Sequence, residues 1–161
     1  MNLFAYIDGG ARGNPGPAAI GIIVRDEHGH VLLEEGKTIG HATNNEAEYR
    51  ALILLLESVA KLPIKVRSGT KTPRVLRVHS DSLLLVKQIA GEWKIKEPRL
   101  RELFDQVQRV KTKVPFVLRI RHVPREQNKE ADKLVNQALD AVVGSPPVHG
   151  GTKGGGSSLS F

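Results

Sequence analysis

Residues 43–62 read TNNEAEYRALILLLESVAKL, and at this stretch the period of the chain changes. From Thr43 onward apolar residues recur at helical spacing, and Thr43 followed by Glu46 fits a capping box at the helix start. Upstream, the alternation is that of strands. Asn2 to Ile7 puts Leu3, Ala5 and Ile7 on one face and Phe4 and Tyr6 on the other. Gly9 to Pro17 reads as a turn-rich loop. Ala18–Arg25 and His30–Ile39 read as two further strands, with Asp26-Glu27-His28-Gly29 as the turn between them, so the first three strands form an antiparallel meander.

Downstream, Pro63 to Pro73 is a basic loop, Arg74–His79 a fourth strand and Asp81–Ala90 a short helix. Pro98–Lys111 is a helix with Pro98 suited to its first turn. Phe116–Val123 is a fifth strand and Gln127–Val143 a last helix. Strands four and five follow helices, so crossovers can lay them parallel to the first. The expectation is an α/β fold: a mixed five-stranded sheet, with a meander of three strands plus two parallel strands, and helices on both faces. Residues 1–143 form the domain. Residues 144–161, rich in Gly and Ser with Lys153 as the one charge, read as a flexible tail.

The 161 residues suit one domain. There is no cysteine, which excludes disulfides, thiolate zinc sites and a thiol nucleophile, and which suits a reducing cytoplasm. The longest apolar run, Ala51–Leu56, is too short to span a bilayer, and the first residues lack the regions of a signal peptide. No membrane association is expected, and a monomer is the default. Twenty-four Lys and Arg against 17 Asp and Glu give a net charge of +7, which favours a polyanionic partner such as nucleic acid. Aromatic residues are too scarce for a base-stacking platform.

Four carboxylates stand out. Asp8 follows the first strand, where open α/β sheets place their sites, although it also suits a turn-opening Asp. Asp81 holds the matching place after the fourth strand, although it also suits a helix N-cap. At helical spacing Glu48 falls on the stripe of Leu52, Leu55 and Val59, while Glu46, Arg50 and Glu57 lie opposite, on the wet face. A carboxylate facing the core needs a partner or a metal, and capping accounts for Glu46 but not for Glu48. In the last helix Asp132 lies at the edge of the stripe of Ala131, Val135, Ala138, Leu139 and Val142, although it also suits a dipole partner at a helix amino end. Glu130 points away, to solvent. Four acids gathered at one end of the sheet cannot all stay ionised without cations. Hard divalent ions take such oxygen ligands, and a pair of them serves in-line phosphoryl displacement. A carboxylate pair would also serve a glycosidase, but that chemistry needs no metal and leaves the basic charge unexplained.

The sequence resembles type 1 ribonuclease H. Asp8-Gly9-Gly10-Ala11-Arg12-Gly13-Asn14-Pro15-Gly16-Pro17-Ala18 is similar to its first motif, and Thr43-Asn44-Asn45-Glu46-Ala47-Glu48-Tyr49 to its second. His79-Ser80-Asp81-Ser82 resembles the third, and the run from Arg121 through His122 and Asn128 to Asp132 the fourth. The likeness spans about residues 1–143, in order. It implies endonucleolytic cleavage of the RNA strand of an RNA/DNA hybrid, with Asp8, Glu48, Asp81 and Asp132 holding two Mg²⁺ ions, and Mn²⁺ as a substitute. It also implies contacts to the hybrid from Gly9, Gly10, Asn14, Thr43, Asn44, Asn45 and Ser82, several of which equally suit turn or capping roles. His122 is implied as an aid to proton transfer or product release; a packed strand-end His is the alternative. Some family members carry a basic helical protrusion, whereas here Gly91 to Pro98 joins two helices directly. Trp93, Lys94 and Lys96 are then candidates for the DNA strand, with packing over the core as the other role for Trp93. Lys65, Arg67, Lys71 and Arg74 are further candidates for hybrid affinity. Two other functions stay open on the same fold: a non-catalytic nucleic-acid binder, and a two-metal nuclease of the junction-resolvase or integrase type.

Overall fold

The computed structural model describes residues 1–64 and 74–144. The strands are β1 (Asn2–Ala11), β2 (Gly16–Arg25) and β3 (Val31–Ala42), followed by α1 (Asn44–Ala60) and β4 (Val75–Ser80). Then come α2 (Leu83–Ile89), α3 (Pro98–Lys111), β5 (Val117–His122), a 3₁₀ turn (Arg125–Gln127) and α4 (Lys129–Gly144). The sheet order is β3-β2-β1-β4-β5. β1, β2 and β3 are antiparallel neighbours, while β4 runs parallel to β1 and β5 parallel to β4. The mixed sheet and the element order expected from sequence are those observed. Lys65, Arg67, Lys71 and the tail beyond Gly144 lie outside the described residues.

One face of the sheet carries α1, with α3 packed on it, and the other carries α4 across β2, β3 and β1. The main core is formed by Leu3, Ala5 and Ile7 of β1, Leu76 and Val78 of β4 and the apolar side chains of α1. α1 is buried well beyond one stripe: Ala47, Tyr49, Ala51, Ile53 and Leu56 join Leu52, Leu55 and Val59. It lies between the sheet and α3, so sheet-facing and helix-facing sides are both apolar. Glu46 therefore does not sit on a wet face; its side chain is 15% exposed and 3.5 Å from the Arg99 guanidinium. The second face closes on Ala19, Val135 and Leu139. There α4 approaches the sheet closely because β2 and β3 present glycines. A Cβ on Gly21 would come within 2.6 Å of the Ala131 carbonyl oxygen, and one on Gly36 equally close to that of Leu134. Val142, expected on the apolar stripe of α4, is 59% exposed.

Several boundaries depart from the sequence expectation. β1 does not stop at Ile7. It runs through Asp8 to Ala11, with Gly9, Gly10 and Ala11 paired to Ile20, Ala19 and Ala18. The glycines there read as a turn, but Gly9 serves close approach: a Cβ on it would run into the Ala47 carbonyl at the start of α1. Pairing of β1 with β4, in contrast, ends at Ile7 and Ser80, so Asp8 lies just past the carboxyl end of that parallel pair. β3 extends to Ala42, directly before the Thr43 cap. α2 starts at Leu83, later than expected, because Ser82 caps it. α4 starts at Lys129, after the 3₁₀ turn. Glu130 does not point free into solvent; it holds Arg25 through two hydrogen bonds of 2.9 and 2.6 Å.

Candidate metal centre and nucleic-acid cleft

Each acid reaches the site from a different element. The capping box at Thr43 sets the phase of α1: the Glu46 N–H donates to the Thr43 hydroxyl at 3.1 Å, and the Thr43 N–H to the Glu46 carboxylate at 2.8 Å. With that phase Glu48 turns to β1, where its carboxylate accepts the Gly9 N–H at 2.8 Å. Asp8 comes from β1 itself. Asp81 follows β4, and because Ser82 takes the capping role its carboxylate is not spent on α2. One carboxylate oxygen from each of Asp8, Glu48 and Asp81 lies within 4.8 Å of the others. Asp8 and Glu48 are buried, at 7% and 8% exposure.

Asp132, in the first turn of α4, is exposed and lines the same cleft. It is near enough to Asp8 to act on its carboxyl but is not part of the tight three-acid group. Burial, and then the charges of Asp81 and Asp132, push the Asp8 carboxyl up to about 8. Glu48 is raised well above the ordinary carboxylate range by burial and by the charge of Asp8. Asp81 is raised by burial, against the opposing pull of Arg125 and the Asn128 amide. Three clustered carboxylates, each shifted toward protonation, form an all-oxygen donor set that a hard divalent cation would relieve.

The cleft measures about 370 Å³ and is also lined by Gly9, Gly10, Asn44, Asn45, Ser82 and Arg125. Asn44 and Asn14 tie its rim together. The Ala11 N–H donates to the Asn44 side-chain oxygen at 2.9 Å, and the Asn44 N–H to that of Asn14 at 3.0 Å. Their side-chain amide donors, and that of half-buried Asn45, meet no partner among the described residues and remain for a ligand. Thr43 is engaged in its capping box, and the Ser82 hydroxyl accepts the Leu85 N–H at 3.2 Å. His122 ends β5, opposite Ser80, and is exposed rather than packed, close enough for its charge to act on Asp81.

Trp93, Lys94 and Lys96 do not line the carboxylate cleft. They stay exposed on the connection between α2 and α3, so Trp93 does not pack over the core. That connection is held from below. The Tyr49 hydroxyl donates to Gln88 at 2.7 Å, and the Gln88 amide donates to the Lys94 carbonyl at 3.1 Å.

Two residues of the site were not singled out from sequence. Arg125 lines the cleft and is the cation acting on Asp81 and Glu48. Asn128 is 1% exposed; its amide donates to the Ile7 carbonyl at 2.8 Å and lies near enough to Asp81 to favour its charged form, and its own oxygen is buried without a partner among the described residues. Its only local signal is its place four residues before Asp132, at the start of the helix.

Over residues 6–138 the chain matches a family described as reverse transcriptase-like. Ribonuclease HI of Halobacterium salinarum is 41% identical over 138 residues, 86% of this chain and 64% of that protein. The bifunctional protein Rv2228c of Mycobacterium tuberculosis is 42% identical over 146 residues, 90% of this chain and 37% of that protein. The chain thus spans only part of these curated relatives. The crystal structure of LC11-RNase H1 in complex with RNA/DNA hybrid superposes with a TM-score of 0.79 at 42% identity, covering 88% of this chain and 99% of that one. RNase H1 of Halobacterium salinarum does so at 0.77 and 40%, over 88% and 99%. The chain belongs to the type 1 ribonuclease H family.

Proposed function

We propose that the chain is an endoribonuclease that hydrolyses the RNA strand of RNA/DNA hybrids, leaving 5′-phosphate and 3′-hydroxyl ends. The observation that carries this is the convergence of Asp8, Glu48 and Asp81 from three separate elements, with Asp132 beside them, in a cleft rimmed by unengaged asparagine amides. The four acids would hold two Mg²⁺ ions, with Mn²⁺ as a substitute. When bound, such ions activate the attacking water and stabilise the leaving oxygen.

The chain's own residues supply the rest. The Gly9 N–H fixes the Glu48 carboxylate, which is therefore oriented before a substrate arrives, and the neighbouring Asn128 amide favours the charged form of Asp81. Asn14, Asn44 and Asn45 offer amide donors to phosphate or to the 2′-hydroxyl, the group that distinguishes RNA from DNA. Gly9 and Gly10 line the cleft and would present their backbone to the substrate, and Thr43 and Ser82 keep the two helix starts in place behind it. His122 stands at the open edge of the site, where it can take or give a proton on the departing side. Lys94, Lys96 and Trp93 would meet the DNA strand outside the cleft. A cysteine-free monomer acting on hybrids suits the reducing cytoplasm.

The test is one labelled duplex prepared as RNA/DNA hybrid, as RNA/RNA and as DNA/DNA, each incubated with and without Mg²⁺. Cleavage of only the RNA strand of the hybrid, and only with the ion, is the expected result. A cut DNA duplex, or cleavage in chelator, would overturn the proposal.

A further inference from the structure

The sheet face turned away from α1 is covered by α4 over β1, β2 and β3. Farther along that face, β4 and β5 carry a row of arginines. Leu76 and Val78 of β4, and Leu118 and Ile120 of β5, face the main core. By alternation, Arg77, Arg119 and Arg121 point to the opposite side. All three are exposed. Arg77 sits directly across from Arg119, and His79 across from Arg121. Paired strands lie about 4.8 Å apart, and like charges placed opposite each other on neighbouring strands destabilise a sheet. Among the described residues none of the three is in an ion pair; the Arg119 guanidinium reaches only the Leu118 carbonyl, at 3.3 Å. Between them His79 is stacked on Tyr6 at 4.3 Å, with its Nδ1 on the Ala5 carbonyl oxygen at 2.9 Å. It is buried and fills the floor of the row.

The row lies on the two strands whose ends lead to the carboxylate cleft. β4 runs out into Asp81 and β5 ends at His122, so Arg121 is the next residue in from the site edge. Arg77 and Arg119 lie one further side-chain step away along the strands, about 7 Å. We propose that Arg77, Arg119 and Arg121 on the open face of β4 and β5 grip the phosphodiester backbone of the nucleic acid that continues past the segment being cut. This rests on the hybrid-nuclease reading and adds a second contact surface to it. The guanidinium forks of this face recognise phosphate charge and not base sequence, and the rings beside them on β1, Phe4 and Tyr6, are half-buried.

The test compares the full chain with the Arg77→Gln/Arg119→Gln variant; Arg121 is left in place because it adjoins His122. Affinity is measured by fluorescence anisotropy in chelator, so that nothing is cut. The probes are a blunt hybrid of about 12 base pairs, the same hybrid with a single-stranded DNA overhang, and the same hybrid lengthened as duplex. The extended probes should bind wild type more tightly than the blunt one. The variant should lose about tenfold on an extended probe at low salt, with the log–log salt slope shallower by roughly 1.4 to 1.8 and blunt-probe affinity unchanged. Whichever extension suffers the larger loss identifies the strand form held. The Arg77→Lys/Arg119→Lys variant should restore most of the binding, since phosphate charge is retained. No gain from extension in wild type, no loss in the Gln variant, or equal loss on the blunt probe would overturn the proposal. A wild-type protein that fails to cut hybrid with Mg²⁺ would instead strike the nuclease reading, while extension-dependent binding in chelator is scored independently.

Discussion

The Glu48 carboxylate accepts the backbone N–H of Gly9 at 2.8 Å, tying the second turn of α1 to the residue after Asp8. Because no Cβ fits at Gly9, the helix and the strand approach closely enough to bring two acids from distant parts of the chain into one buried group.

Glu48→Gln keeps an oxygen that can accept the Gly9 N–H, so the fold should persist. Hybrid cleavage should fall by several orders of magnitude, and metal-free stability should rise slightly because a repelling charge is removed. Glu46→Gln should keep near-normal activity, since Gln completes a capping box as well. Turnover and thermal melting of the two variants, measured together, separate the roles; the reverse pattern would mean that the helical phase assigned to these acids is wrong.

The raised carboxyls also set a pH dependence. Asp8 goes from the ordinary 3.8 to about 8 and Glu48 moves in the same direction, so the folded state binds more protons than the unfolded one across this window. Metal-free stability is then highest in mild acid and is lost as the pH rises from about 4 toward 8. Mg²⁺ should raise the melting temperature more at pH 8 than at pH 5, because it compensates the ionised form. Melting curves in chelator and in Mg²⁺ at the two pH values check this, and Asp8→Asn should flatten the chelator series.

Asn128→Ala removes the donor to the Ile7 carbonyl and the amide that favours the charged form of Asp81. The expected cost is about 1–3 kcal/mol of stability for the buried groups left unpaired. Because the charged form of Asp81 also loses that support, the Mg²⁺ concentration giving half-maximal activity should rise. Chemical denaturation and a Mg²⁺ titration report the two effects separately; a stability loss with an unchanged titration would confine Asn128 to packing.

His122→Ala removes an exposed ring at the end of β5 and should leave stability unchanged. Hybrid turnover should drop about a hundredfold at saturating substrate with KM little altered, the pattern of lost proton transfer. Steady-state kinetics on one hybrid decide it, and an unaltered kcat would remove His122 from the chemistry.

Much of the site was legible because its signals are local. The Thr43–Glu46 capping box fixes the phase of α1, and with it the inward direction of Glu48, from a few neighbouring residues. Asp8 and Asp81 were visible as charges at matching ends of apolar strands. Features set by distant contacts were not. Gly9 to Ala11 read as a turn because the approach of Ala47, which demands glycine in a strand, is a tertiary fact. Asp81 and Ser82 are both good capping residues, and only the folded chain shows that Ser82 takes the cap. Asn128 reaches a carbonyl 121 residues away, a relationship without any sequence period. The row of Arg77, Arg119 and Arg121 likewise depends on which strands become neighbours.

The central claim is that the carboxylate cluster cuts RNA. Wild type, Asp8→Asn and Asp81→Asn are incubated side by side with a hybrid labelled on the RNA 5′ end, in Mg²⁺, and the fragments are resolved on a gel. Wild type should give a ladder of short RNAs, while both variants, folded by circular dichroism, should give almost none. Near-wild-type cleavage by either folded variant would contradict the account, since the chemistry would then lie elsewhere in the molecule.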